Sequence, residues 1–447
     1  MKERLLKMVH RSVLMPEFIC GIFVLLFFTI HLFVFGPEGY KNITIVKYIS
    51  FLAISGCFCV SMLLCRIVGR NKAIDGGTLS ATEVCVMAYM LLTVVSAAVS
   101  EFYPETILGV HRREGAVTIC IYCIIFLMVE RNLRSEKCII YLLGIVSTVF
   151  SAVCILQFFK INVFNLFPEG LNYYDGGIKY AGEFLGTMGN AGLTAAFLCL
   201  SVPILLIYIL RAKERGRIWL LIPLFMGMAV LFKSKIAAAV LGFAAGLFFI
   251  LPFSLCTNKR SQKVLSVVEA FVFIVIIGLL FFIEFENKTL HEFHEVLHGN
   301  FDDSYGSSRI FIWRHTLPLI PERPIFGGGA DTLADRIGVI FETVKDDGTV
   351  RKASIDAAHN EYLNIAVCQG IPALIAYIAA LVSTFVKFIK SGNRSPATAA
   401  LAAGLMCYCV QAFFGISIFI SSPYFWIVWA ILESNLKSSK NKKMSVA

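Results

Sequence analysis

The chain has 447 residues, of which 57% are hydrophobic and only 16% are charged. A soluble domain carries about 25% charged residues, so this composition excludes that class and predicts a polytopic membrane protein. The formal net charge of +10 does not call for nucleic acid, because the basic loops of a membrane protein account for much of it.

Apolar segments of about 18 to 25 residues match a hydrocarbon core of about 30 Å crossed at 1.5 Å per residue. Twelve such segments follow one another, and they predict an all-α fold with one membrane domain over 1–447. In chain order they are Phe18–Phe35, Lys47–Cys65, Thr82–Val99, Gly115–Val129, Cys138–Phe159, Ala191–Leu210, Ile218–Phe232, Ile236–Leu251, Val264–Ile283, Tyr362–Val386, Pro396–Ile420 and Pro423–Leu436.

The connections between these segments differ in charge. Lys and Arg are frequent at both termini and in every second loop, for example at Arg211, Lys213 and Arg215, and are sparse in the loops between. Because basic short loops stay on the cytoplasmic side, we expect both termini in the cytoplasm. The first segment is long enough to remain in the bilayer, so we expect no removed signal peptide.

Three unusual polar segments fall on the predicted outer face: 101–114, 160–190, and the large loop 284–358 between the ninth and tenth segments. In the large loop, Leu290–Gly299 has the spacing of a helix lying on the membrane surface. A second helix is expected over Ser308–Ile320, capped by Ser307 or Ser308 and ended by Pro321. Gly327–Gly329 then permits a tight turn or close backbone approach to a ligand.

Cations gather on the same face. They are Arg309, Arg314, Arg336, Arg351, Lys233 and Lys235. One interpretation is that they reach toward lipid head groups, and the other is that some of them cradle a phosphate or pyrophosphate, which arginine binds with two parallel hydrogen bonds.

His359 stands at the start of the tenth segment beside Asn360 and Glu361. A histidine here is often only a solvated or capping residue, yet it can also accept a proton from an attacking hydroxyl. A rival site lies in His294-Glu295-Val296-Leu297-His298, whose spacing fits a zinc protease motif. No third ligand follows at a familiar distance, so we expect no metal and no cofactor. The fourteen cysteines lie in or beside apolar segments and suggest neither a disulfide framework nor a metal site.

Several stretches together resemble the O-antigen ligase and O-antigen polymerase superfamily. They are Ser308–Trp313, Arg323–Gly329, Ala358–Leu363 and Gly370, with weaker similarity at Gly109–Gly115, Gly186–Asn190 and Ser234–Ala237. The resemblance implies a bacterial inner-membrane glycosyltransferase. Such an enzyme moves a glycan from an undecaprenyl-diphosphate-type lipid to a glycan, lipid or protein hydroxyl on the outer face.

The resemblance also implies residue roles. His359 would be the base, with Asn360 and Glu361 in support, while Arg309, Lys235 and Arg113 would contact the donor diphosphate. Two departures are visible: Lys235 stands where the family usually has arginine, which removes a bidentate fork, and Gly189-Asn190-Ala191 lacks the usual Pro and second Asn.

Such a site implies an inverting, metal-independent transfer, since arginine charge would stabilise the departing diphosphate while His359 deprotonates the acceptor. Two alternatives remain open: a flippase or transporter of lipid-linked glycans, which would carry polar groups near the bilayer midplane, and a zinc protease using His294 and His298. The sequence does not separate ligase from polymerase.

Overall fold

A computed structural model describes residues 16–69, 79–133, 137–168, 172–175, 178–181, 184–344, 350–391 and 394–444. Helices dominate these ranges, and the chain is an α-helical, multi-pass membrane protein as the sequence predicts. The N-terminal basic residues used for the orientation lie outside the described ranges. Placement of both termini in the cytoplasm therefore stays a prediction.

The α-helices are numbered in chain order. They are α1 Pro16–Leu26, α2 Ile43–Gly69, α3 Ala81–Ala98, α4 Glu105–Leu108, α5 Ala116–Asn132, α6 Lys137–Phe158, α7 Ala191–Arg211, α8 Leu221–Lys233, α9 Ala237–Leu255, α10 Lys259–Phe282, α11 Lys288–Leu297, α12 Tyr305–Thr316, α13 Leu333–Arg336, α14 Glu361–Gln369, α15 Ile371–Lys390, α16 Pro396–Ala412 and α17 Ser422–Met444. A π-helical turn, Phe27–His31, extends α1, and 3-10 turns cover Tyr40–Asn42, Val163–Asn165, Arg215–Leu220 and Leu317–Leu319.

Two short antiparallel hairpins accompany the helices. β1 (Asn172–Asp175) pairs with β2 (Ile178–Ala181), and β3 (Ile340–Val344) pairs with β4 (Val350–Ser354). In the first hairpin Asn172 is opposite Ala181, and in the second Ile340 is opposite Ser354. Both lie in segments that the sequence assigns to loops, and neither joins the helical core.

Each of the twelve apolar segments of the sequence overlaps at least one helix, although the tenth and eleventh differ from the prediction. Among the described residues, 8 helices are long and apolar enough to cross a membrane, and two more, Pro16–His31 and Pro396–Ala412, are apolar but shorter. The helical, multi-pass class is therefore confirmed, whereas the count of twelve crossings stays a prediction.

Small residues at helix contacts hold the centre of the bundle together. Helix α16 packs against α7 and α9, and a Cβ added at Gly246 of α9 would come within 2.4 Å of the Cys407 backbone. A Cβ at Gly404 of α16 would lie 2.4 Å from the Leu200 carbonyl oxygen of α7. Glycine thus lets these helix backbones approach closely, as is usual where lipid offers no hydrophobic drive for association.

The tenth segment is not one helix, which corrects the sequence prediction. Helix α14 ends at Gln369, Gly370 takes a φ of 92°, and α15 begins at Ile371. The chain 324–329 occupies the break: the Ile371 amide donates to the Pro324 carbonyl at 2.9 Å, and the Gly329 amide donates to the Cys368 carbonyl at 2.7 Å. The break satisfies the C-terminal carbonyls of α14, which a helix end inside the bundle would otherwise leave unpaired.

The eleventh segment also differs from the prediction, because its helix α16 ends at Ala412 rather than near Ile420. Residues 413–421, called here the 413–421 segment, form turns before α17 starts. Its carbonyls accept hydrogen bonds from distant side chains, namely Arg309 to Phe414 and His31 to Phe419. Irregular backbone at this depth is thereby paired inside the protein.

The two helices predicted in the large loop are present, but their starts differ. Helix α11 begins with Asn287 as its cap, and its carboxamide oxygen accepts from the Thr289 amide at 3.1 Å. Before the regular part of α12, Gly306, Ser307 and Ser308 all have positive φ. Neither serine therefore adopts the extended conformation of an N-cap, and the expected cap is wrong.

An ionic cluster built on buried carboxylates lies at the start of α3, at the ends of α5 and α15, and in the middle of α17. Lys437 Nζ lies 2.8 Å from Glu83 Oε2 and 2.5 Å from Glu130 Oε1. Lys387 pairs with Glu433 at 3.0 Å, and Arg131 pairs with Glu83 at 2.7 Å. The cluster joins four helices at the end of α5 and α15 that is opposite His359.

Candidate functional site

The turn that precedes α14 positions His359. Its neighbour Ala358 is held on both sides: Trp313 Nε1 donates to the Ala358 carbonyl at 2.9 Å, and the Ala358 amide donates to Asn364 Oδ1 at 3.2 Å. His359 itself has a φ of 48°, a left-handed conformation that non-glycine residues adopt at a cost and that recurs at functional sites. Tertiary contacts therefore fix this histidine.

The loop 109–115 meets the same region through Asp331. The carboxylate of Asp331 accepts from the backbone amides of His111 at 3.0 Å and Arg112 at 2.8 Å. This contact folds the loop so that successive side chains reach different partners. His111 pairs with Asp335 at 3.0 Å, and Arg112 Nη2 lies 2.6 Å from Asp356 Oδ1.

Arg113 points away from Asp356. Its guanidinium carbon lies 5.1 Å from the centre of the Tyr48 ring, a cation–π distance, and its φ is 57°. The donor contact that the sequence predicts at Arg113 stays a prediction, while its neighbour Arg112 acts electrostatically on His359.

Arg309 reaches the site from α12. Its Nε and Nη2 donate to the Phe414 carbonyl at 3.1 and 2.8 Å, and its Nη1 donates to the Gly306 carbonyl at 2.5 Å. These bonds are to neutral carbonyls, so the guanidinium keeps its full positive charge beside His359. Burial lowers the pKa of Arg309 below its ordinary value, although an arginine remains charged.

Burial, together with the charges around it, makes His359 a weak base. Burial, followed by the positive charges of Arg112 and Arg309, lowers the pKa of His359 from its ordinary 6.5 to about 4, and the carboxylate of Asp356 opposes this shift. The imidazole is therefore neutral at pH 7, which is the form that can accept a proton.

Lys235 lies in the break between α8 and α9. It is exposed, with a φ of 57°, and within the described part of the chain it has no hydrogen-bond or ion-pair partner. The structure thus gives it an accessible ammonium group and no contact with His359.

Asn360 and Glu361 have structural contacts. Asn360 caps α14, and its Oδ1 accepts from the Leu363 amide at 3.0 Å. Glu361 is buried, and the Tyr377 hydroxyl donates to its carboxyl group at 2.6 Å. Both residues hold the turn and the helix that carry His359.

Other groups singled out in the sequence lie elsewhere. Arg336 donates to the carbonyls of Val367 and Leu319, both at 2.8 Å, and Arg314 pairs with Asp303 at 2.7 Å. Both arginines thus have partners away from His359. The Arg351 side chain lies outside what the structure describes.

The glycines 327–329 pack closely against the protein: Gly327 lies against backbone, Gly328 against the Arg336 side chain, and Gly329 against the side chains of Thr106 and Ser100. A Cβ added at Gly327 would lie 2.4 Å from the Cys368 carbonyl carbon. The close backbone approach predicted here is therefore to the end of α14.

The histidines of the rival zinc motif bond to backbone. His294 Nδ1 lies 2.9 Å from the Leu280 carbonyl, and His298 Nδ1 lies 2.9 Å from the His294 carbonyl. Among the residues that the structure describes, no group of three or more His, Cys, Asp or Glu side chains is arranged to hold a metal ion.

Sequence reasoning missed four residues of this site: Arg112, Asp331, Asp356 and Glu114. The Arg112-Arg113 pair was visible, but only the fold shows which arginine faces His359. Asp356 precedes His359 by three residues, a spacing that offered a signal. Glu114 is buried, accepts a hydrogen bond from the Tyr122 hydroxyl at 2.7 Å, and has its pKa raised to about 8, mainly by burial.

The fold and this site define a class: a multi-pass helical membrane protein in which one turn places a neutral histidine among arginines. Residues 231–378, about a third of the chain, match the family model described as O-Antigen ligase. The match places this segment in the O-antigen ligase and polymerase superfamily, and it supports a glycan-transfer function at a membrane. A comparison with curated proteins gave no match.

Proposed function

We propose that the protein is a glycosyltransferase that moves a glycan from a polyprenyl-diphosphate carrier to an acceptor hydroxyl on the outer face of a bacterial inner membrane. The observation that carries the proposal is the pairing of Arg112 with Asp356, three residues before His359, and the positive charge that Arg112 and Arg309 exert on His359; His359 and Arg309 lie inside the family match. A neutral base beside two cations suits the attack of a hydroxyl on a sugar bound to an anionic leaving group.

In the proposed reaction, an oxygen of the acceptor hydroxyl forms a bond to the anomeric carbon, and the bond from that carbon to the diphosphate oxygen breaks. The electron pair of the broken bond stays on the diphosphate, and the hydroxyl proton moves to a ring nitrogen of His359. Attack opposite the leaving group inverts the anomeric centre. No metal is required in this scheme, because arginine charge stabilises the departing diphosphate.

The donor contacts follow from the placement of the cations. Arg309 and Arg112 both act electrostatically on His359 and are the proposed diphosphate ligands. Lys235 is exposed and adds a point charge that the diphosphate can recruit. Arg113 has a supporting role in this proposal, because its cation–π contact with Tyr48 stabilises the loop 109–115.

The first test is the loss of His359. Purified protein is given a polyprenyl-diphosphate glycan and an acceptor, and transfer is measured for His359→Ala and wild type. A general base is worth about 10²- to 10⁴-fold, so transfer by His359→Ala should fall by that factor.

The matched control is His315→Ala, because His315 bonds to the Phe311 carbonyl within α12. It should transfer like the wild type. Full transfer by His359→Ala would contradict the proposed base.

Deletion of the gene tests which acceptor the protein uses. If long glycan chains disappear when the gene is deleted, the protein is a polymerase, whereas accumulation of finished but unattached polymer indicates a ligase. Unchanged glycans in the deletion strain would contradict both versions of the proposal.

A further inference from the structure

The Arg112–Asp356 ion pair lies directly within the proposed donor site. Arg112 Nη2 and Asp356 Oδ1 are 2.6 Å apart, and the two side chains are 18% and 33% exposed. A carboxylate and a phosphate engage a guanidinium through the same planar hydrogen-bonding fork. Asp356 therefore occupies the position on Arg112 that a diphosphate oxygen would take.

Arg112 has an unused donor as well. Its Nε is buried and has no hydrogen-bond partner in the part of the chain that the structure describes. A buried donor without a partner carries a desolvation cost that a ligand can remove. The guanidinium thus pairs with Asp356 through Nη2 while its buried Nε stays without a partner in the described part of the chain.

Asp356 also acts on the histidine. The charged groups that act on His359 are Arg112 from the loop before α5, Arg309 from α12, and Asp356 from its own turn. The two arginines disfavour a protonated imidazole, and the carboxylate favours it. While Asp356 is paired with Arg112, the positive charge of that arginine offsets much of the effect that the carboxylate has on protonation of His359.

We propose that Asp356 is a displaceable internal counter-ion: it neutralises Arg112 in the empty site, gives way to the donor diphosphate, and then becomes a positioning residue that stabilises protonated His359. The proposal rests on the proposed function. A diphosphate carries more negative charge than one carboxylate and also offers an acceptor for Arg112 Nε, so the exchange favours the donor.

The exchange makes base strength depend on the donor. With the diphosphate bound, both arginines are neutralised and Asp356 has lost its cation, so every charge that opposed protonation of His359 is weakened. The pKa of His359 then rises from about 4 toward the working pH, where a general base is most effective. Donor binding thus precedes activation of the acceptor.

Binding is the first test. Farnesyl diphosphate, a short prenyl diphosphate without a sugar, is titrated into the detergent-purified full chain by calorimetry. Asp356→Asn should bind it about 3- to 10-fold more tightly than wild type, because the competing carboxylate no longer occupies the arginine. In transfer assays the same variant should show a lower kcat, by about 10-fold, since protonated His359 has lost its anion.

Two variants serve as controls. Asp356→Glu keeps the anion and should restore both values toward wild type. Asp335→Asn removes another carboxylate of the same region, one that pairs with His111, and it should change neither value. Tighter donor binding combined with slower turnover is a split that a merely structural role of Asp356 would not produce.

The second test follows His359 directly by NMR of histidine-labelled protein, its signal being assigned by its absence in His359→Gln. Adding farnesyl diphosphate should raise the pKa of His359 in wild type and raise it less in Asp356→Asn. Equal affinities and equal titrations in the two proteins would overturn the exchange. If wild type binds no farnesyl diphosphate, the donor site fails together with the exchange. Full transfer by His359→Gln overturns the proposed base and with it the positioning role of Asp356, whereas the exchange at Arg112 is still decided by the two affinities.

Discussion

At the scale of single residues, the guanidinium of Arg309 is fixed in direction and yet keeps its charge. Within the described part of the chain it makes three hydrogen bonds, all to backbone carbonyls and two of them to Phe414. These bonds fix the direction of the guanidinium without consuming its charge, unlike the ion pair that Arg112 makes. Arg309 is therefore expected to be available to a diphosphate without displacement of a partner.

Substitution at Arg309 tests this interpretation. Arg309→Ala should lower kcat/KM for transfer about 10²-fold or more, because a preorganised charge in the donor site is lost. Arg309→Lys should fall in between, since charge is kept but the fork that contacts Phe414 is not. Equal and full activity of both variants in the transfer assay would contradict a diphosphate contact.

The pH dependence follows from the lowered pKa of His359. Because kcat/KM for the donor reports groups of the free enzyme, it should stay level from pH 7 down to about pH 5 and fall only as the imidazole is protonated with its pKa of about 4. The acid limb of kcat, which reports the bound complex, should lie at higher pH. Initial rates across this range check both limbs, and an acid limb of kcat/KM near 6.5 would contradict the buried site.

The lowered pKa of His359 also makes the stability of the folded protein depend on pH. The unfolded chain protonates this imidazole near the ordinary value of 6.5, and the folded chain does so only near 4. Between these values the unfolded state binds more protons, so this residue makes the fold less stable as the pH falls through that window.

The least predictable feature was which of two adjacent arginines in the loop 109–115 belongs to the site. Arg112 and Arg113 are adjacent and chemically identical, and their directions depend on the Asp331 carboxylate, more than two hundred positions away, which binds the Arg112 amide. His359 was predictable as a candidate because a polar cluster is costly to hold at a membrane surface. The residues that act on it, Arg112 and Asp356, were not predictable from the sequence.

At the scale of elements, hydrophobic length predicted the helices well, because a span of fixed thickness needs a fixed number of apolar residues. The break between α14 and α15 was invisible in this pattern, since the sequence stays apolar across Gly370. Backbone of 324–329 creates the break by bonding the end of α14, and a tertiary contact of this kind has no local signature. Gly370 and Pro372 offered a hint, because glycine often follows the end of a helix and proline often stands in the first turn of the next.

A glycine substitution tests the break. Gly370→Ala should destabilise the protein by about 1–3 kcal/mol or prevent folding, because φ is 92° and a Cβ would lie 2.1 Å from the Ile325 carbonyl oxygen. Gly278→Ala in α10 is the matched control, as nothing lies within 4 Å of its Cβ position. Thermal unfolding in detergent compares the two, and similar curves would contradict the proposed clash.

At the scale of the whole molecule, the bundle is held by different means at its two ends. One end carries the ionic cluster of Glu83, Glu130 and Glu433 with their cations, and the other carries the cationic site with partners that can be exchanged. The carboxylates of the cluster are buried while their cations are partly exposed, so leaving a carboxylate without its cation is costly. Rigidity at this end suits a scaffold on which the opposite end binds substrate.

Removal of one cation tests how much the ionic cluster contributes to the stability of the protein. Lys437→Met leaves buried Glu130 without that partner, while Glu83 keeps Arg131, and should cost about 1–3 kcal/mol of unfolding free energy. Lys259→Met, at an exposed position at the start of α10, is expected to cost less than about 0.5 kcal/mol. Denaturant unfolding measures both, and equal losses would contradict a buried cluster.

The hydrogen bond from Trp313 to the Ala358 carbonyl gives the molecule an optical reporter. The chain has only 4 tryptophans; Trp426 and Trp429 are buried in the bundle, and Trp219 is 74% exposed. Trp313 alone touches the residue that precedes His359. Its indole emission therefore senses movement of that turn, so occupation of the site can be followed in real time with no label attached.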